Sequence, residues 1–340
     1  MKQPLLPLAA AFAAFAAAPA NAQAPAMSEQ EAIAEIAAEA GPATLAMWRV
    51  ADADSEFILL GTYHILPPSL VWRTAALDAA FKDATDIYFE VDAGSPDASA
   101  QTLHVIMTRG FNPPGVTLSS MLGEADASKL REVARDAQMP FAAIDTMRPW
   151  NAFLTLSVQF IISKGFDPGA GADSVLLAEA KRTGKKVHFF ETLDEQLSLF
   201  TDLPPAVEKD LLVLTLRDWD NQEASFDELF KAWTQGDVEV IDRQMNQEMR
   251  EQTPEVYKRI IADRNRAWAE RLDADLKNGA GKAFVAVGAG HLVGDEFSVP
   301  ALLAAKGYEV TRYALPAETA PEAAPEAAND NAPADDQQPH

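Results

Sequence analysis

Two of the five histidines in this chain follow apolar, strand-like runs, and each lies three residues after a glycine. Residues 57–64 read FILLGTYH, and residues 283–291 read AFVAVGAGH. A histidine just beyond the end of a buried strand lies at the rim of a sheet, where its ring can face solvent, a substrate or a metal ion. The pattern therefore makes His64 and His291 candidate functional residues.

A glutamate in an apolar setting is the third candidate. Glu90 stands in the run YFEVD over residues 88–92, which reads as a strand. A carboxylate there is costly unless it is paired, hydrogen-bonded or bound to a metal. Glu191 has a similar place after Phe189 and Phe190, but a turn begins at Thr192, so a helix-capping role is equally open for it.

Two histidines and one glutamate can support two kinds of hydrolysis. They are sufficient ligands for zinc, manganese or cobalt with one position left open for water. They can also act without a metal, with histidine as the base. The compact motif His-Glu-x-x-His is absent, so a metal site would have to be assembled from distant strands. The spacing of the residues does not choose between the two.

Other enzyme classes fit the sequence poorly. Gly288 and Gly290 lack the third glycine that a dinucleotide-binding loop needs, and the chain has no Gly-x-Ser-x-Gly elbow of a serine hydrolase. The remaining histidines have no glycine-bracketed setting. His104 lies in a helix-like run, His188 lies within a strand-like run and is expected to be packed, and His340 is the last residue.

The order of elements predicts an α/β (α+β) fold. Apolar runs predict strands over 45–50, 56–60, 86–91, 185–190, 283–287 and 308–313. Helical periodicity predicts helices over 72–83, 123–137, 149–164, 172–183, 194–200, 205–219, 225–234, 238–251, 254–276 and 299–306. The first strands carry Gly-x-x-His before Glu90, and the last carry Glu191 before Gly-x-x-His. This mirrored order suggests two pseudo-repeated α/β halves around one site.

Both ends of the chain differ in composition from its centre. Residues 1–22 have the charged, apolar and small-residue regions of a signal peptide, with cleavage expected after Ala22. The apolar run is shorter than the ~20 residues of a membrane span, and no cysteine follows to accept a lipid. We therefore expect a soluble product in the periplasm or the medium, with no membrane span. Residues 23–41 are predicted to form a linker with a helix capped at Ser28, and residues 42–315 the catalytic domain.

The net charge limits the classes of partner, and the cysteine content limits the chemistry. The formal net charge is −23, and residues 316–340 form an acidic, Pro- and Ala-rich tail that we expect to be disordered. Such an excess of negative charge argues against nucleic acid and anionic lipid as partners. The absence of cysteine excludes disulfides and a thiol nucleophile. The sequence gives no indication of the oligomeric state.

The motifs, taken in order, resemble those of the TraB/GumN family, whose relatives include the Tiki metalloproteases. The resemblance spans roughly residues 42–313. It rests on WRV (48–50), LGTYHILP (60–67), FEVD (89–92), RPW (148–150), GAD (171–173), DRNR (263–266), VAVGAGHLVG (285–294) and GYEV (307–310).

This resemblance implies a fold, a site and an activity. It implies a mixed central sheet surrounded by helices, and a divalent metal (manganese, cobalt or zinc) held by His64, Glu90 and His291. The implied activity is hydrolysis of a peptide or small acyl substrate. Arg264 would hold a substrate carboxylate or a developing oxyanion, or would only pair with Glu90. The site wall would include Asp173 and Glu191.

The wider superfamily is similar to erythromycin esterases, which need no obligatory metal, and to haem-associated lipoproteins. Two alternatives therefore stay open beside the metal-dependent hydrolase. One is a metal-independent esterase. The other is a non-catalytic envelope protein for polysaccharide or tetrapyrrole handling.

Overall fold

A computed structural model describes residues 43–279, 281–294 and 296–314. The strands are β1 (Met47–Ala51), β2 (Glu56–Thr62), β3 (Asp86–Phe89), β4 (Lys186–Phe189), β5 (Lys282–Gly288) and β6 (Glu309–Arg312). The α-helices up to β4 are α1 (Ala75–Asp83), α2 (Ala98–Arg109), α3 (Leu118–Met121), α4 (Glu124–Asp136), α5 (Phe141–Asp145), α6 (Pro149–Ser163) and α7 (Ala172–Arg182). Those after β4 are α8 (Leu193–Thr201), α9 (Pro205–Arg217), α10 (Gln222–Gln235), α11 (Val238–Asp242), α12 (Glu248–Gln252), α13 (Pro254–Tyr257), α14 (Asp263–Lys277) and α15 (Val299–Ala305).

The strands form one six-stranded mixed sheet in the order β4-β3-β5-β2-β1-β6. Strands β2, β5, β3 and β4 run parallel to one another, whereas β1 is antiparallel to both β2 and β6. This arrangement confirms the predicted α/β fold with a mixed sheet surrounded by helices. Because the carboxyl ends of parallel strands meet at one edge, the residues that follow β2, β5, β3 and β4 gather there.

Helices cover both faces of the sheet, which explains why β2 and β5 are continuous apolar runs. On one face, Leu60 and Phe284 pack with Phe81 of α1 and Trp233 of α10. On the other face, Leu59 and Val285 pack with residues of α14 and α15, including Trp268, Leu272 and Leu303. The rigid centre of the sheet therefore supports its carboxyl edge from both sides.

A close approach of backbone to backbone brings the ends of β2 and β5 together. A methyl group at Gly61 would lie 2.9 Å from the Cα of Ala289. The glycine thus lets the 3-10 turn Ala289–His291 pass directly over the end of β2. Trp233 fixes the same point, because its indole nitrogen donates a hydrogen bond of 2.8 Å to the Gly61 carbonyl.

Several predicted elements differ in extent from the observed ones. Strand β3 ends at Phe89, so Glu90 lies just beyond the strand and not within it. The helices predicted over 238–251 and 254–276 are each interrupted by a π-helical segment, Arg243–Gln247 and Lys258–Ala262. All strands belong to a single sheet. The internal repeat of two α/β halves stays a prediction. No helix within the described ranges is long and apolar enough to cross a membrane. The predicted signal peptide, the predicted helix at Ser28 and the acidic tail lie outside the described residues.

Candidate functional site

His64, Glu90 and His291 converge at the carboxyl edge of the sheet. The Nε2 atoms of His64 and of His291 each lie 3.8 Å from Oε1 of Glu90. All three residues are more than nine-tenths buried, with exposed fractions of 6%, 6% and 3% in chain order. The fold therefore brings together three candidate residues that lie far apart in the sequence.

His64 is oriented by the first turn of α7. Its Nδ1 atom lies 2.8 Å from Oδ1 of Asp173, so the ring donates its Nδ1 proton to that carboxylate. Burial lowers the pKa of His64, but the negative charges of Asp173 and Glu90 outweigh burial and raise the pKa to about 9. The Nε2 atom is buried and has no hydrogen-bond partner among the described residues.

Backbone contacts keep α7 against the His64 loop. The Ala172 amide donates a hydrogen bond of 3.0 Å to the carbonyl of Tyr63. A methyl group at Gly171 would lie 2.1 Å from the carbonyl oxygen of His64, so only glycine permits this approach. The contact explains how Asp173, more than a hundred residues along the chain, comes within reach of the His64 ring.

Glu90 is held as a carboxylate by three donors. Its Oε1 accepts the Gly288 amide at 2.7 Å, and its Oε2 accepts Gln196 at 3.0 Å and Arg264 at 2.6 Å. Burial raises the pKa of Glu90, but the positive charge of Arg264 foremost, together with the electrostatic effect of the adjacent histidine rings, outweighs burial and lowers the pKa to about 2. The carboxylate is therefore ionised and fixed in orientation.

His291 differs from His64 in its proton and in its partners. Its Nε2 lies 3.0 Å from Nη1 of Arg264, which can only donate, so Nε2 is the acceptor. Its Nδ1 carries the proton and donates to Oδ1 of Asn265 at 2.6 Å. Burial and the Arg264 charge lower the pKa of His291 to about 3. The His291 ring also packs on Trp268, with the ring centroids 4.4 Å apart.

Arg264 links Glu90, His291 and Glu191 into one buried network. Its Nε and Nη2 atoms donate to the two oxygens of Glu191 at 2.7 Å and 3.0 Å. Burial raises the pKa of Glu191, and the guanidinium opposes that effect. Of the two roles predicted for Arg264, the structure shows the pairing with Glu90.

The His64 ring and the Glu90 carboxylate are separated by a gap of 3.8 Å between Nε2 and Oε1, and Gly288, which has no side chain, lies beside this gap. A methyl group built there would stand 3.1 Å from Nε2 of His64, 3.2 Å from Oε1 of Glu90 and 3.6 Å from Cδ2 of His291. Contacts this short would force the His64 ring or the Glu90 carboxylate to shift. A cavity of about 390 Å³ borders His64 and Glu90, and its apolar walls include Phe89, Val91, Leu177 and Ala178.

The donor set is chemically suitable for a divalent metal, but its arrangement does not fit one. In the part of the chain that the structure describes, no three His, Cys, Asp or Glu side chains are grouped to hold a metal ion. The physical reason lies at His291, whose Nε2 lone pair accepts the hydrogen bond from Arg264. Only Nε2 of His64 and Oε1 of Glu90 remain facing the gap, which is fewer than the three protein ligands typical of catalytic zinc.

The structure also gives partners to the other residues considered in the sequence analysis. Asp173 orients His64, and Glu191 holds Arg264. Glu191 does not cap a helix, because Thr192 caps α8 in a capping box with Glu195. His188 bonds Asp86 at 2.7 Å and stacks on Tyr88.

Two buried residues of the site were not predicted as site residues. They are Gln196 of α8, which bonds Glu90, and Asn265 of α14, which bonds His291. Gln196 also carries an Oε1 atom with no partner in the described structure. Both lie on helices, where a polar residue gives no local sign of what it faces after folding.

One of three comparisons with known proteins gave a match. The model of the TraB/PrgY/gumN family matches residues 46–312, which is most of the chain and includes every residue of the site. No curated protein and no solved structure matches significantly.

Proposed function

The chain belongs to the TraB/PrgY/gumN family, and from its site we propose that it is an exported hydrolase of a peptide or a similar small acyl bond. One observation supports the proposal above the others. His64 and Glu90 both line a cavity of about 390 Å³, and Nε2 of His64, which has no hydrogen-bond partner in the described structure, lies 3.8 Å from Oε1 of Glu90. An acid and a base on either side of a water molecule are the minimum that hydrolysis of an acyl bond requires.

His64 acts as the proton donor in the proposed reaction. Its raised pKa keeps Nε2 protonated near neutral pH, and Asp173 stabilises the imidazolium in the orientation that directs this proton to the gap. Oε1 of Glu90 orients the water and accepts its proton as the oxygen attacks the carbonyl carbon. The His64 proton passes to the leaving nitrogen or oxygen as the acyl bond breaks. Proton transfer from Glu90 to His64 then restores both groups.

His291 and Arg264 act on Glu90 and not on the substrate. The hydrogen bond from Arg264 to Oε2 keeps Glu90 ionised, and His291 keeps Nη1 of Arg264 in place. Arg264 is therefore a positioning residue in the proposed reaction, which corresponds to the pairing with Glu90 and not to the other predicted role of binding a substrate carboxylate or oxyanion.

Adding a single methyl group at residue 288 is expected to slow hydrolysis strongly without unfolding the protein. In Gly288→Ala the methyl would stand 3.1 Å from Nε2 of His64 and 3.2 Å from Oε1 of Glu90 and displace these groups, and we expect kcat/KM to fall about 100-fold, as a displacement of about 1 Å can cause. Fluorogenic peptides and small acyl esters are the substrates to assay.

Gly94→Ala is the matched control for that experiment. Gly94 lines the same cavity, but its added methyl would make an ordinary contact of 3.5 Å with Leu177. We expect wild-type rates from it. Wild-type rates from Gly288→Ala, or a wild-type protein inert to the whole panel, would contradict the proposed function.

Export is proposed from the signal peptide predicted over residues 1–22. We expect the mature protein recovered from the periplasm or the medium to begin at Gln23, as measured by intact mass. Replacing Ala20 and Ala22 with bulky residues should retain the uncleaved precursor, because signal peptidase requires small residues there. A mature protein that keeps residues 1–22 would contradict the proposal.

A further inference from the structure

We infer that the guanidinium of Arg264 takes the place of a divalent metal in this site, so that the protein works without one. The inference rests on the proposed function for the statement that the site performs hydrolysis. The occupancy of the site by Arg264 does not depend on the proposed function, because it follows from the contacts of this side chain.

Every N–H donor of Arg264 has a hydrogen-bond acceptor. A guanidinium has five N–H bonds in a fixed planar fork. In this site Nε and one N–H of Nη2 bond Glu191, the other N–H of Nη2 bonds Glu90, and the two of Nη1 bond His291 and the Ile260 carbonyl. The five distances lie between 2.6 Å and 3.1 Å. These five hydrogen bonds together hold the guanidinium in the site.

The lone pair of His291 that a metal would need already accepts a hydrogen bond from Arg264. A neutral imidazole has one acceptor nitrogen, and Asn265 fixes the proton on Nδ1, so Nε2 is that nitrogen. It can accept the hydrogen bond from Arg264 or ligate a metal, but it cannot do both. The third expected ligand is therefore committed to an arginine.

The packing around Arg264 also hinders its side chain from moving out of the site. Its side chain is 6% exposed and lies over Trp268, with the guanidinium carbon 4.6 Å from the ring centroid. Withdrawal would leave the buried carboxylate of Glu90 and the partly buried carboxylate of Glu191, whose side chain is 12% exposed, without their shared cation. A metal that entered beside Arg264 would instead place two positive charges in one buried pocket.

Occupancy of the site by Arg264 predicts that a variant without this arginine gains the ability to bind a metal. With Arg264 present, only His64 and Glu90 face the gap. Without it, Nε2 of His291 becomes free, and the site has the His, Glu and His donors of a three-ligand centre. Removal of one arginine should therefore create the metal site that the family resemblance led us to expect.

The test is a titration of chelator-treated, full-length protein with Co²⁺, followed by calorimetry and by the visible absorption of bound cobalt. We expect no stoichiometric binding by the wild type. Arg264→Met/Glu191→Gln should bind one equivalent, and binding should be lost when His64→Gln is added. The second substitution removes one of the carboxylates that loss of Arg264 would leave buried and unpaired. Arg266→Met, an exposed neighbour on the same helix, should behave as the wild type.

Two results would overturn the inference. One is stoichiometric cobalt binding by the wild type that is lost in His64→Gln. The other is a folded double variant, checked by circular dichroism, that binds none. If the double variant does not fold, the wild-type titration decides alone. No substrate is used, so failure of the proposed hydrolysis would leave this result readable.

Discussion

Replacing Arg264 with methionine is expected to lower the free energy of unfolding by about 3–5 kcal/mol, the cost typical of breaking a buried ion pair by removing one partner. Arg264 is the shared cation of Glu90 and Glu191, which are ionisable groups in the interior. Methionine fills a similar volume but satisfies neither carboxylate. The result is measured by urea denaturation at neutral pH.

The partner variants show whether the loss arises from unpaired charge. Arg264→Met/Glu191→Gln should recover part of the lost stability, because one of the two buried charges is gone. Arg266→Met should change the free energy of unfolding by no more than about 0.5 kcal/mol, since its pair with Asp263 is half exposed. An Arg264→Met protein as stable as Arg266→Met would contradict the buried network described above.

The strand ends of the site could be predicted because the signal is local. An apolar run that ends in Gly-x-x-His marks the end of a strand, and parallel strands place their carboxyl ends at one edge. His64 and His291 follow such runs directly, and Glu90 follows β3. The family match adds the same order of motifs over residues 46–312.

The supporting residues could not be predicted because their roles depend on tertiary contacts. Gln196 meets Glu90 across 106 residues, and Asn265 meets His291 only because α14 packs beside β5. The place of β5 between β2 and β3 has no sequence signal either. Helical periodicity likewise did not reveal the π-helical segment Lys258–Ala262, since one wider turn barely alters the apolar pattern.

Replacing His64 with glutamine is expected to lower kcat by about 10²–10⁴-fold, the range typical of losing a general acid or base. Glutamine approximates the length of the histidine side chain and can still hydrogen-bond Asp173, but it cannot deliver a proton to the gap. KM should change little, because the cavity walls Phe89, Val91 and Leu177 are untouched. The fold should be retained, as judged by circular dichroism.

His188→Gln is the matched control for this effect. His188 also bonds an aspartate through one ring nitrogen, at 2.7 Å, but it lies on β4 and does not line the cavity. We expect its kcat to equal that of the wild type. An equal fall in both variants would mean that the His64 effect is a general consequence of losing a paired histidine.

The most direct test of the proposed function is the rate of acyl-bond hydrolysis by the chelator-treated wild type beside His64→Gln and His188→Gln. The proposed site predicts that the wild type and His188→Gln hydrolyse the same substrate at equal rates without added metal, and that His64→Gln loses nearly all of that activity. Full activity in His64→Gln would contradict it.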